Sequence, residues 1–221
     1  MGTLVSVNVG RAEATVHSEV GATGIGKTPV AGPVQVTAPL AVKGVSGLAG
    51  DVVCDDRFHG GVDQAVYAYA REELDAWAAE LGRELRDGMF GENLTTTGLA
   101  VSDAVIGERW RIGESLLLEV SATRIPCRTF AGWMDEAQWV KRFTERARPG
   151  AYLRVITPGP VAVGDVITVV HRPDHGITSA DVTRALSARA PELLPAIAAL
   201  ETLGVAYRDA AANRLKAAAG A

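Results

Sequence analysis

Cysteine is scarce in this chain, with Cys54 and Cys127 its whole complement. Neither lies in a Cys-x-x-Cys pair, which excludes a disulfide framework, a zinc ribbon and an iron–sulfur set. An excess of one charge is missing too: 22 Lys and Arg face 26 Asp and Glu, for a net charge of -4. No global field draws such a chain onto nucleic acid, so any anion site must be local. No run of roughly 18 apolar residues could span a bilayer, and the start lacks the basic stretch and apolar core of a secretion signal. The expectation is a soluble cytoplasmic protein with no nucleic acid or membrane partner. The first six residues fit the N-myristoylation pattern, but the alternation from Thr3 to Val9 reads better as a buried strand.

What is present is enough for one sizeable core and a small addition: 221 residues, 48% of them hydrophobic. Short β-branched or alternating runs fill the first three quarters, at Leu4 to Val9, Val34 to Val42, Gln64 to Tyr69, Ser115 to Ser121, Tyr152 to Ile156 and Val166 to Val170. Glycine and proline separate them. Helical spacing occurs at Arg71 to Leu81 and at Asp135 to Ala147, too rarely for a doubly wound α/β fold. A mainly β barrel or sandwich with a few covering helices follows. Residues 172–176 form a hydrophilic, turn-rich linker, and 177–221 reads as three short helices, starting at Ser179, Pro191 and Val205. So few residues are marginal alone, so they should pack on the barrel domain (1–171) or on another subunit, which leaves a homodimer open.

Gly21-Ala22-Thr23-Gly24-Ile25-Gly26-Lys27-Thr28 satisfies the phosphate-loop pattern G-x-x-x-x-G-K-[ST]. That loop works because a helix starts at its Lys-Thr end and aims amides at the phosphates. Here Pro29, Gly32 and Pro33 follow at once, so no such helix forms and a nucleoside triphosphatase is rejected. The glycine-rich amides and Lys27 remain candidates for a smaller anion, beside the plain reading of a flexible hairpin.

Three segments concentrate polar groups where strands should end. In Asp56-Arg57-Phe58-His59-Gly60-Gly61-Val62-Asp63-Gln64, two glycines permit close backbone approach, and His59 and Asp63 offer donors and acceptors. In Gly88 to Leu99, Glu92, Asn93 and Thr95 crowd between glycines, although such residues often only satisfy turn backbone. In Ser121 to Arg128, Cys127 lies between Arg124 and Arg128, positive charges that favour a thiolate, hence a nucleophile or soft metal ligand. The alternative is a cysteine buried as a small apolar residue. Cys54 is flanked by Asp51, Asp55 and Asp56, which disfavour a thiolate, so it reads as structural.

At these segments the chain resembles the MOSC family, named for the molybdenum cofactor sulfurase C-terminal domain, and in particular its stand-alone bacterial YiiM-like branch. The resemblance rests on His59-Gly60-Gly61 with Asp63, Phe90-Gly91-Glu92-Asn93-Leu94 and Arg124-x-Pro126-Cys127, in that order. Gly24 to Val30 looks like that branch's early Gly/Ile, Lys and Pro-Val segment, and the helical tail looks like its three-helix C-terminal domain. The resemblance covers residues 1–170 and implies a MOSC-type β-barrel, a molybdenum cofactor on a pterin dithiolene, and Cys127 as metal ligand and catalytic residue. It implies reduction of N-hydroxylated compounds, such as hydroxylaminopurines and amidoximes, with electrons from a partner reductase. No flavin, nicotinamide or haem fingerprint in the chain offers another source of electrons. Lys27, Arg124 and Arg11 become candidates for the cofactor's phosphate or pterin. His59, Gly60, Gly61, Asp63, Glu92, Asn93 and Thr95 become candidates for the pocket wall. Two other roles for the same residues stay open: a sulfur carrier with a persulfide on Cys127, and a non-catalytic cofactor-binding module. No Schiff-base lysine is marked, so pyridoxal phosphate is not expected.

Overall fold

A computed structural model describes residues 1–220, and the β-branched runs close into a seven-stranded barrel. The strands are β1 (Gly2–Val9), β2 (Val66–Ala70), β3 (Leu94–Thr97), β4 (Arg109–Ile112), β5 (Leu116–Ala122), β6 (Ala151–Thr157) and β7 (Val166–His171). Around the ring the order is β1, β7, β4, β5, β6, β2, β3 and back to β1. Every neighbouring pair is antiparallel except β2 and β3. A parallel pair needs a crossover connection, and here it contains helix α1 (Arg71–Leu81). Closure pairs Gly2 with Ile167 and leaves the barrel without a free edge.

Strand β2 shows why the barrel acquires a second core. All five of its residues are buried. Val66, Ala68 and Ala70 face the barrel interior, whereas Tyr67 and Tyr69 face outward into a separate cluster with Trp77, Phe90, Phe130 and Trp139. Helices α1, α2 (Arg128–Met134) and α3 (Trp139–Arg146) supply the cover. Their rings meet edge to face, for example Phe130 and Phe143 at 5.2 Å and 85°. Arg142 and Arg146 of α3 both reach Glu80 of α1, and the Arg146 guanidinium lies 4.3 Å from the Trp77 ring centroid.

The expected barrel with covering helices is observed, though the six α-helices among the described residues make the fold more mixed than mainly β. Residues 128–147 form two helices instead of one from Asp135, because Asp135 and Gln138 adopt left-handed backbone and break the run. The strand expected over 34–42 stops at Val36, and strands β3 and β4 arise where none was expected. The absence of a phosphate loop holds: Thr28–Pro29 is a short strand paired with Asn8 and Val9.

The tail forms α4 (Ser179–Leu186), α5 (Leu194–Ala198) and α6 (Val205–Ala219). The cap of α4 is Thr178, in a reciprocal capping box with Asp181, while Ser179 donates to the Gly150 carbonyl. Val182, Leu186, Ile197 and Tyr207 join the barrel's own apolar cluster. The intervening stretch is tied down as well, with Arg172 on buried Glu108 and His175 on the Ile106 carbonyl.

Phe143 is fully enclosed by rings that cannot collapse around a void, so Phe143→Ala should cost about 3–5 kcal/mol in chemical denaturation. The exposed Val163→Ala should stay within about 0.5 kcal/mol of the wild type.

Candidate functional site

Lys27, His59, Gly60, Asn93, Arg124 and Cys127 line one cleft of about 120 Å³. They come from four separate stretches of sequence. Arg124 and Cys127 leave the end of β5 and lead into α2, His59 and Gly60 precede β2, Asn93 precedes β3, and Lys27 precedes the short strand on β1.

Arg124 is 7% exposed, with its guanidinium 4.0 Å from the Phe130 ring centroid and 5.0 Å from that of Tyr67. It donates to the Phe90 carbonyl, and no carboxylate pairs with it among the described residues. Its charge is therefore available to whatever occupies the cleft. Cys127 is half-buried, and burial alone would raise its thiol pKa. His59 within hydrogen-bonding reach, the Arg124 charge and the Phe130 amide outweigh burial and bring it down to about 7. Cys54 also lines the cleft, and burial pushes its thiol up, as expected for a cysteine that does not ionise readily.

Lys27 reaches the cleft already committed. It is paired with Asp51, which also accepts from Gly10 N at 2.7 Å, Ser46 Oγ at 2.6 Å and Asn93 Nδ2 at 2.9 Å. Burial lowers the Lys27 pKa, and Asp51 opposes this. Asn93 receives the Tyr67 amide on Oδ1, so the network fixes β2 as well as the cleft wall. Gly24 belongs to this wall for a packing reason: a Cβ there would stand 2.3 Å from the Val52 carbonyl oxygen.

Four expected wall residues and Arg11 lie elsewhere. Glu92 is fully buried and accepts from Gly88 N, Phe90 N and Thr95 Oγ1, shaping the turn before β3. Its pKa is raised by burial against those donors. Thr95 is spent on Glu92 and on Asn8 Nδ2. Asp63 binds Arg154 at 2.6 Å on the barrel wall. Gly61, at φ 79°, makes room for chain instead of ligand, since a Cβ would fall 1.9 Å from the Val42 carbonyl oxygen. Arg11 is exposed outside the lining.

Asp51, Gln64, Tyr67 and Tyr152 also line the cleft, and the sequence reading assigned none of them to it. Tyr67 and Tyr152 sit with ring centroids 4.8 Å apart, and burial raises both phenol pKa values. Gln64 lay inside the first polar segment without a role. The other three carried no local signal, because only the barrel brings them near Cys127.

With this geometry in hand, residues 55–168, just over half of the chain, match the MOSC domain family. The chain belongs to the MOSC domain family. A Gibberella moniliformis protein named "Reductase" is 31% identical over 191 residues, covering 85% of this chain and 33% of that one. The Escherichia coli protein YiiM is 32% identical over 150 residues, 66% of each chain. The chain thus spans about a third of the fungal relative's length and about two thirds of the bacterial one's. The crystal structure of YiiM from Geobacillus stearothermophilus superposes with a TM-score of 0.78 at 28% identity, covering 97% of this chain and all of that one. The fold is therefore that of the YiiM-like MOSC proteins.

The resemblance drawn from the sequence implies a molybdenum cofactor, and the donor set can be tested against it. No cluster of three or more His, Cys, Asp or Glu able to hold a metal ion occurs among the described residues. One soft thiolate beside a buried cation suits a metal that brings its remaining ligands with it, as on a pterin dithiolene. The residues present fit that group.

Alkylation of Cys127, followed by mass spectrometry of the labelled peptide, should show a rate that rises with pH to a midpoint near 7 and then levels off. Cys54 should react only at higher pH. His59→Phe should move the Cys127 midpoint upward, whereas a wild-type midpoint at 9.0 or above would contradict the electrostatics described here.

Proposed function

We propose that this protein binds a molybdenum cofactor through the Cys127 thiolate and reduces N-hydroxylated compounds, hydroxylaminopurines or amidoximes, with electrons from a partner reductase. The observation that carries the reading is the lowered Cys127 thiol beside the buried, carboxylate-free Arg124. Family membership and the name of the fungal relative, a reductase, support it.

When bound, molybdenum on its pterin dithiolene supplies two-electron chemistry matched to cleavage of an N–O bond. Cys127 Sγ is the soft donor that would hold it. Arg124, with His59, favours the thiolate form of that sulfur and, with its guanidinium against the Tyr67 and Phe130 rings, is buried in the cleft wall. His59 lies within hydrogen-bonding reach of the same sulfur. The Lys27, Asp51 and Asn93 network closes one wall with groups whose charges already cancel, so the field in the cleft is set mainly by Arg124. Reduction of an N-hydroxyl group to an amine consumes two electrons and two protons and releases water. Tyr152 is a lining residue of the cleft whose phenol burial keeps protonated, which makes it the candidate donor of one proton.

A lowered thiol equally suits a persulfide, so sulfur transfer is the competing reading. Protein purified from a cofactor-making host should reduce benzamidoxime with chemically reduced viologen as electron source. Cys127→Ser should lower the rate at least about 100-fold, and Tyr152→Phe should lower kcat by about 100-fold or more, in the range of lost proton donation. A wild type that carries cofactor yet reduces no N-hydroxylated compound would overturn the proposal.

A further inference from the structure

Between β1 and Lys27 the chain makes a small hairpin that belongs to neither core. Its strands are two residues each, Glu13–Ala14 paired with Ala22–Thr23, and the amides of Thr15 and Gly21 close the turn onto the Gly21 and Ser18 carbonyls. No residue from 11 to 24 is buried, and none joins either apolar cluster. The base is fixed: Gly10 N donates to Asp51 Oδ1 at 2.7 Å, and a Cβ on Gly10 would stand 2.2 Å from the Gly24 carbonyl oxygen. The tip is held by polar contacts at the surface. Thr129 Oγ1 donates to the His17 carbonyl at 3.1 Å, Arg128 donates to the Val16 carbonyl at 3.4 Å, and Glu19 pairs with Arg57 at 3.0 Å. Contacts so open to water are weak, and segments held by them open without unfolding the domain.

Yet Ser18, Ala22 and Thr23 of this hairpin line the cleft that contains Cys127, and the tip rests on α2, the helix that Cys127 caps. Its seat is Gly132. A glycine inside a helix weakens it, and here the missing side chain leaves room for the His17 ring, whose Cγ lies 2.1 Å from where a Cβ would be. The closed cleft measures about 120 Å³, whereas pockets that enclose a drug-sized ligand measure roughly 300–1,000 Å³. A guest of pterin size therefore needs part of the wall to move, and the hairpin is the part that no core holds. We propose that residues 13–23 are a lid on the cleft, latched where His17 sits on Gly132, which opens from its fixed base to admit the guest and closes again on α2. Such a lid controls access to Cys127 whatever chemistry follows, in cofactor-free protein too.

The test labels Cys127 with two maleimides that share one reactive head, N-ethylmaleimide and its fluorescein-bearing analogue, in full-length protein made by a host without the cofactor. Mass spectrometry of the Cys127 peptide gives each rate, and the ratio of bulky to small reagent reads access while cancelling the thiolate fraction. In the wild type this ratio should lie well below that of the urea-unfolded protein. Gly132→Ala should raise it about fivefold, as expected when one weak contact is removed from a two-state lid, while the melting temperature holds or rises because alanine favours the helix. His17→Ala should raise it by a similar factor without altering α2, and Glu19→Gln by less. A wild-type ratio equal to that of the unfolded protein, or a ratio unchanged in both Gly132→Ala and His17→Ala, would overturn the lid. Absence of molybdenum from protein made in a cofactor-producing host would overturn the cofactor reading alone, since the labelling is read without the metal.

Discussion

Arg124 carries a full positive charge into a place almost closed to solvent, and no acidic side chain meets it among the described residues. A buried charge left uncompensated costs on the order of several kcal/mol, so the surroundings must answer it in another way. Two aromatic faces and one backbone carbonyl give part of the answer. The sulfur of Cys127, three residues on as the chain turns from β5 into α2, adds its charge when ionised. The guanidinium and the thiolate each make the other's charged form affordable in a half-buried site, and the cleft is organised around that exchange.

The aromatic cluster outside the barrel follows from the same requirement. Phe130 and Tyr67 must be held rigidly for the guanidinium to rest between them, and both belong to the packed rings under α1, α2 and α3. Strand β2 links this second core to the first, with alternate residues in each. Its amide at Tyr67 is bound by Asn93, whose other end grips Asp51 and, through it, Lys27. A cation that looked free in the sequence is thereby neutralised, leaving Arg124 as the cation without a carboxylate facing the thiol. On the far side, α6 reaches the cleft through Tyr207 and Gln64, so the helical tail shares in the site as well as in the core.

Much of this was legible from the chain. Alternation in β1, β6 and β7 marked barrel strands, and the spacing of Leu74, Trp77 and Leu81 marked α1 with its observed ends. Cys127, Arg124, His59, Gly60, Asn93 and Lys27 were picked out by local chemistry and do share one cleft. The errors have a common physical cause. Glu92, Thr95, Asp63 and Gly61 were read as facing a ligand because polar groups and glycines cluster around binding sites, but the same residues are needed to satisfy amides in a buried turn or to let two chain segments touch. Sequence does not distinguish a carboxylate that binds a guest from one that binds its own backbone. Asp51 and Tyr152 were invisible for the opposite reason: each looks ordinary in its own segment and gains a role only when distant strands close the ring. Strand β3, a Leu-Thr-Thr-Thr run, looked like a polar turn, yet Leu94, Thr95 and Thr96 are all buried.

The claim on which the account stands is that Cys127 holds molybdenum. The most direct measurement is metal content by mass spectrometry of wild type and Cys127→Ala, purified without chelators from a host that makes the cofactor. The account predicts close to one molybdenum per chain in the wild type and little in the variant, with both folded by circular dichroism. A wild type without molybdenum, from cells whose other molybdoenzymes are loaded, would contradict it, and sulfane sulfur on Cys127 in that protein would point to sulfur transfer.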